Sequence, residues 1–163
     1  MTGFDMRTAV GVCLGISVLA GMGLAGSSAT GAAPVAAAGV KGDPIYERKA
    51  IMQRLDEEGE VLGNIVAGIE PPERLAEVTR TIANDAKEST ESFRTIAPGG
   101  RSRDEVWSNH DDFMKRMENF SRNAEAMAKA GETGNMAAVT SLMVDAMPCK
   151  QCHDTYRAPK KPS

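Results

Sequence analysis

The chain has 163 residues, a formal net charge of −3 and an aromatic content of only 4%. That length suits one domain with a modest core, and the absence of any long lysine–arginine run excludes nucleic acid as an expected partner. So few large rings imply a thin helical bundle, or a core filled by something other than aromatic side chains.

The first 40 residues stand apart. Thr8 to Val40 carries no charge, and Thr8 to Gly26 (TAVGVCLGISVLAGMGLAG) is apolar and rich in small residues. A short start with Arg7, an apolar stretch and a small-residue exit make the pattern of a secretory signal peptide. Residues 1–38 are read as leader and exit, cleaved after Ala29 or Ala38, with an uncleaved membrane anchor as the alternative. Cleavage removes Cys13 and leaves only Cys149 and Cys152, in an oxidising compartment, the periplasm. Residues 39–43 read as a linker, 44–158 as one domain and 159–163 as a flexible tail.

No strand-like alternation and no internal repeat is present, whereas four helical segments are. The first, from about Pro44 to Ile69, carries a stripe at spacings of three and four: Ile45, Arg48, Met52, Leu55, Gly59, Leu62, Val66 and Ile69. Asp56, Glu57, Glu58 and Glu60 fall mostly off it, as a solvated face; Gly59 and Gly63 weaken the helix, or admit a close neighbour such as helix two or a second subunit. The second helix runs from Pro72 to Phe93 with Leu75, Ile82, Ala86 and Phe93 inward, and APGG follows it. The third starts at Ser102, which with Glu105 forms an S-x-x-E capping-box pattern. Its stripe is Val106, His110, Phe113, Met117, Phe120, Ala124 and Met127, and GETG breaks it. The fourth spans about Asn135 to Arg157, with a kink or a fresh start expected at Pro148. Short links between four such helices predict an all-α, antiparallel up-down-up-down four-helix bundle.

The chemistry lies in Cys149-Lys150-Gln151-Cys152-His153, a C-x-x-C-H attachment signature for c-type haem. Residues three apart share a helix face, so two thiols reach one porphyrin edge while the next residue offers its imidazole to the iron. Other readings are a redox dithiol, a zinc site completed by His110 or a carboxylate, and a small disulfide. A haem also answers the aromatic shortage, because it supplies a large flat apolar group. No nucleophile–base pair is evident, so an enzyme is not expected.

With that motif in its last helix, the chain resembles the class II c-type cytochromes, meaning the cytochrome c prime family and its low-spin relatives. The resemblance spans about Pro44 to Arg157 and rests on IYERKAIMQRL (Ile45–Leu55), EVWSNHDDF (Glu105–Phe113) and CKQCHDTYR (Cys149–Arg157). It implies one covalent haem c on Cys149 and Cys152, with His153 on the iron. It also implies that Arg48 pairs with a haem propionate, that Met52 faces the distal side, and that dimers form through helices one and two. A surface arginine is the plainer reading of Arg48, as a helix-terminal base is of Arg157.

In such a bundle the end of helix four lies level with the starts of helices one and three. His153 is about 6–8 Å from its helix end, while Met52 and His110 are each about 12 Å into theirs. Met117 and Met127, at about 20 Å and beyond, are expected to be too deep to meet the iron. Met52 is therefore the expected sixth ligand, giving a low-spin, electron-transfer cytochrome with redox-protein partners. The alternative is an open five-coordinate iron that binds NO or CO; His110 reads as a surface or capping-turn residue. Phe93, Trp107, Tyr156 and Arg157 are expected at the haem end as pocket walls or borders.

Overall fold

Asp43 starts the first helix of the structure, a computed structural model in which residues 42–160 are described. Its carboxylate accepts the Ile45 N–H at 2.8 Å, and Pro44 occupies the first turn, where its missing N–H costs nothing. Helix α1 (Pro44–Val66) ends in a Schellman motif. The Ile69 N–H donates to the Asn64 carbonyl at 2.8 Å and the Gly68 N–H to that of Ile65 at 3.0 Å, with Gly68 at φ +73°. Ile69, expected on the inner stripe, therefore lies past the helix end and is 74% exposed. The buried face is Arg48, Ile51, Leu55, Leu62 and Ile65. The expected stripe thus holds at Arg48, Leu55 and Leu62, while Met52 and Val66 sit one position off the deepest line.

A single 3-10 turn at Pro72–Arg74 leads into α2 (Leu75–Arg94), with Leu75, Ile82, Ala86 and Phe93 buried as expected. The third expected helix is two. Ser102 caps nothing, because its backbone pairs in an isolated antiparallel bridge with Arg157, so the capping box does not form. The one-turn helix α3 (Glu105–Ser108) stops at Asn109, whose φ of −127° and ψ of 50° are not helical. Helix α4 (His110–Glu132) starts afresh and ends where Gly134 turns to φ +67°. The fourth helix is divided too, into α5 (Met136–Ala146) and α6 (Cys149–Tyr156). Pro148 is the residue before α6, so the expected break is a fresh start.

Helix α2 packs against α1 and α4, and α4 against α5, which gives the antiparallel four-helix bundle. Gly59 lets α1 close on the α5–α6 junction: a Cβ there would lie 2.8 Å from Met147 Cε. Its neighbour is thus helix four, not helix two; around Gly63 nothing comes within 4 Å.

The buried side chains form two clusters. One, around Leu62, Ile82, Met127 and Val139, fills the length of the bundle. The other, at the α6 end, holds Phe93, Val106, Phe113, Met114, Met117 and Tyr156. The leader, Cys13 and the last three residues of the tail lie outside the described residues. No helix among the described residues is long and apolar enough to cross a membrane.

Candidate functional site

Helix α6 has only eight residues, and its C-terminal end is strapped to the segment before α3. The Arg103 N–H donates to the Tyr156 carbonyl at 3.0 Å. The Ala158 N–H donates to the Arg101 carbonyl at 2.8 Å, and Arg101 Nε returns a bond to the Ala158 carbonyl at 2.9 Å. The buried Tyr156 hydroxyl adds a bond to Asp112 on α4 at 2.9 Å, and that carboxylate also accepts from Arg116 at 2.8 Å. These contacts fix the helix that carries the two thiols and the histidine.

Both cysteines are free. Cys149 is exposed, whereas Cys152 is half-buried and packs against the second cluster. Burial pushes the Cys152 thiol above its ordinary pKa, against a partial opposing pull from Arg116. A thiol held in its protonated form is a poor redox nucleophile. His153 is half-buried, and burial, then the charges of Arg157 and Arg101, lower its pKa. This favours the neutral imidazole that metals bind. Among the described residues no group of three or more His, Cys, Asp or Glu side chains could hold a metal ion, so the zinc reading finds no ligand set.

Beside Cys152 the aromatic side chains collect. Phe93, Phe113 and Tyr156 are buried in the second cluster, and Trp107 and Phe120 are half-buried against it. Phe113 packs edge-on to both Phe93 and Tyr156, each with ring centroids 5.0 Å apart. Of the aromatic residues in the described range only Tyr46 lies elsewhere. The scarce rings are therefore concentrated at one end of the bundle, as expected for Phe93, Trp107 and Tyr156. A groove of about 220 Å³ borders Cys152 and is lined in part by Arg116, Phe120, Val144 and Pro148.

Met52 is half-buried and packs against both clusters, so its thioether lies at their seam, in the cluster that Cys152 joins. Met117 joins this cluster as well, whereas Met127 lies in the other. The rise count from Ser102 assumes one helix, whereas the chain breaks at Asn109.

Arg48 is not the surface residue of its plainer reading. It is 5% exposed, with Nε and Nη2 donating to the Ser92 carbonyl (3.1 and 2.8 Å), Nη2 also to Thr95 (2.6 Å) and Nη1 to Ala97 (2.7 Å). It thereby satisfies carbonyls left open at the end of α2. Its carbon Cζ stands 4.5 Å from the Phe93 ring centre and 5.2 Å from that of Trp107. Four of the five guanidinium N–H groups are used, so a propionate has one left to draw on.

His110 opens α4, with Nδ1 3.1 Å from the Val106 carbonyl and its ring stacked on Trp107. It lines a separate groove with Arg94, Asp111 and Glu118, not the one beside Cys152. Arg157 is exposed at the end of α6, its N–H donating to the His153 carbonyl at 3.1 Å. Asp112 and Arg116 were not singled out from the sequence. Their spacing of four on one helix is visible there, but their meeting with Tyr156 is long-range.

The donor set fits a covalently attached haem. Two free thiols and an imidazole follow each other on one strapped helix, beside an aromatic wall and within the cluster that holds Met52.

The comparisons with known proteins point the same way. The family model for Cytochrome C' matches residues 43–157. A cytochrome c prime from Alcaligenes xylosoxydans xylosoxydans is 32% identical over 70 residues, 42% of this chain; the match spans 55% of that relative's length. Among solved structures, a ferrous variant of cytochrome c prime from Alcaligenes xylosoxidans with bound NO is similar at a TM-score of 0.66 and 20% identity. That likeness covers 73% of this chain and 96% of the other. The ferric protein from the same organism is similar at a TM-score of 0.66 and 21% identity, with the same coverage.

Proposed function

Starting from the fact that the chain belongs to the cytochrome c prime family, which carries a covalently attached c-type haem, we propose that it is a periplasmic haem protein that binds NO or CO at an open iron position. The observation that carries this reading is the similarity in fold to a cytochrome c prime with bound NO. The periplasmic assignment rests on the leader pattern of residues 1–38.

A haem held by Cys149, Cys152 and His153 would supply an iron able to take a diatomic ligand. The residues of the chain do the rest. Cys149 and Cys152 would tether the porphyrin through two thioethers. The strap between residues 101–103 and 156–158, with the Tyr156–Asp112 bond, holds α6 and so orients His153. Phe93, Trp107 and Phe113, packed together at this end of the bundle, would wall off water. Met52, half-buried where the two clusters meet, would serve as an apolar cover over the iron's open side, and a cover without a hydrogen-bond donor favours NO and CO over oxygen.

The test is addition of CO or NO to the ferrous protein. Wild type forms an adduct, and Met52→Ala forms it faster because the cover is gone. A wild type that forms no adduct sinks the reading.

A second reading retains the electron carrier with redox-protein partners, with His153 and Met52 as the two axial ligands. It is supported by the place of Met52 in the cluster that Cys152 joins. The named relatives favour the open-iron reading over it.

A further inference from the structure

Met52 and Phe120 are each half-buried, and among the described residues they alone pack against both the long core and the haem-end cluster. They come from diagonal helices, since α2 packs against both α1 and α4, and α4 against α5. Cross-helix bonds set their level. Arg48 donates to the Ser92 carbonyl at 2.8 Å, and Arg54 to Asp85 and Glu88 at 2.6 Å each, so Met52 stands opposite the turn of α2 around Glu88. Thr90 donates to the Met117 carbonyl at 3.0 Å and Arg80 to Glu125 at 2.6 Å, so that turn in its place stands opposite the stretch of α4 around Phe120. Met52 and Phe120 therefore meet the core at one level from opposite sides.

Phe120 also borders the haem-attaching helix. It lines the groove of about 220 Å³ beside Cys152, together with Val144 and Pro148. Asn123 donates to the Asp145 carbonyl at 3.0 Å, which sets Phe120 opposite Pro148 on the antiparallel partner. His153, five residues further on, is then about 7–8 Å nearer the haem end. Phe120 is thus on the Met52 side of the histidine. A close-packed apolar wall yields little to a bulkier group. We propose that Phe120 is a specificity-determining residue: opposite Met52, it bounds the space open to an iron ligand and sets the largest ligand that the protein accepts. The inference rests on the open-iron reading and deepens it, adding a size limit that comes from α4.

The test is equilibrium binding of CO and of n-butyl isocyanide to the ferrous holoprotein, for wild type, Phe120→Ala and Phe120→Trp. Both ligands bind iron through a terminal carbon, but the isocyanide carries an alkyl chain that needs room beyond it. The expected result is a rise of about tenfold or more in the ratio of isocyanide to CO affinity in Phe120→Ala, the scale on which an apolar pocket senses added or missing methylenes. The ratio falls in Phe120→Trp. If Phe120 only fills the core, Phe120→Ala lowers stability in urea and leaves the ratio unchanged, and that result overturns the proposal. Should Phe120→Ala yield no holoprotein, Phe120→Leu takes its place, with a smaller rise expected and an unchanged ratio again overturning the proposal. The same substitutions are also made beside Met52→Ala, which removes the cover. A wild type that takes up neither ligand sinks the open-iron reading, and the Met52→Ala background then decides the size limit. There a ratio that rises on adding Phe120→Ala supports the limit, and one that stays the same overturns it.

Discussion

Three helical glycines make a test of how the bundle is packed, because the same substitution should have three different outcomes. Around Gly63 nothing lies within 4 Å of a built Cβ, so Gly63→Ala collects the helix-propensity gain, about 0.5–1 kcal/mol. At Gly59 the new methyl would stand 2.8 Å from Met147 Cε, the free end of a flexible, half-buried side chain. Met147 must swing aside, and Gly59→Ala is expected within about 0.5 kcal/mol of wild type, the propensity gain being offset by lost packing. At Gly131 the methyl would lie 2.1 Å from Thr79 Oγ1 and 3.1 Å from Thr79 Cβ. Thr79 is fully buried, stiff at its branched β-carbon, and its hydroxyl donates to the Leu75 carbonyl at 2.8 Å. Gly131→Ala therefore has to part α2 from α4, at a net cost of about 2 kcal/mol, within the range seen for overpacked cores. Urea unfolding of the three holoprotein variants, at equal denaturant slopes, reads the order directly. A Gly131→Ala protein as stable as Gly63→Ala would refute the close α2–α4 contact on which the bundle description depends.

Other outcomes follow from the site. Tyr156 is buried and donates to Asp112, so its phenol should ionise above the ordinary value of about 10. A Tyr46→Phe variant leaves Tyr156 as the only tyrosine, and ultraviolet titration then reports it alone. Because the native pKa is raised, the stabilisation is fully present below the ordinary tyrosine pKa and is lost as pH rises through the native one; a midpoint at or below about 10 contradicts the burial. Arg48→Met should destabilise the holoprotein by about 2–3 kcal/mol, since bonds to a charged donor are lost while the exposed Thr95 carbonyl can turn to water. A loss under about 1 kcal/mol would mean that the carbonyl contacts do not pin α1 to α2. Cys149→Ala and Cys152→Ala should each keep haem through one thioether after acid–acetone extraction, and the double variant should release it. Retention by the double variant would show that the attachment lies elsewhere.

How much of this was legible in the sequence depends on the range of the interaction. The C-x-x-C-H motif, the Gly and Pro punctuation and the period of three to four are local, and they marked the four helical segments and the short helix that carries Cys149, Cys152 and His153. Local patterns also misled. Ser102 and Glu105 carry a capping-box spacing, but the segment around Ser102 is strapped opposite Arg157, more than fifty residues away, through bonds of Arg101 and Arg103, and a bridge of that kind leaves no local trace. Met117 lies in the cluster that Cys152 borders and Met127 in the other, a distinction that a count of about 1.5 Å per residue along one helix does not draw. Arg48 shows the same limit: its plainer reading as a surface side chain fails only once the end of α2 is known to arrive beside it. On α1 the stripe was off by one at Met52 and Val66 because Ile51 and Ile65 compete for the same face.

The open iron position is the central claim, and the optical spectrum of the purified holoprotein tests it most directly, ferric and ferrous, with Met52→Ala alongside. The account predicts a high-spin ferric spectrum without the weak far-red methionine–iron band, and a ferrous protein that takes up CO at once. A wild type that shows that band, with sharp reduced bands, and a Met52→Ala variant that loses it, would contradict the account and make Met52 the sixth ligand of an electron carrier.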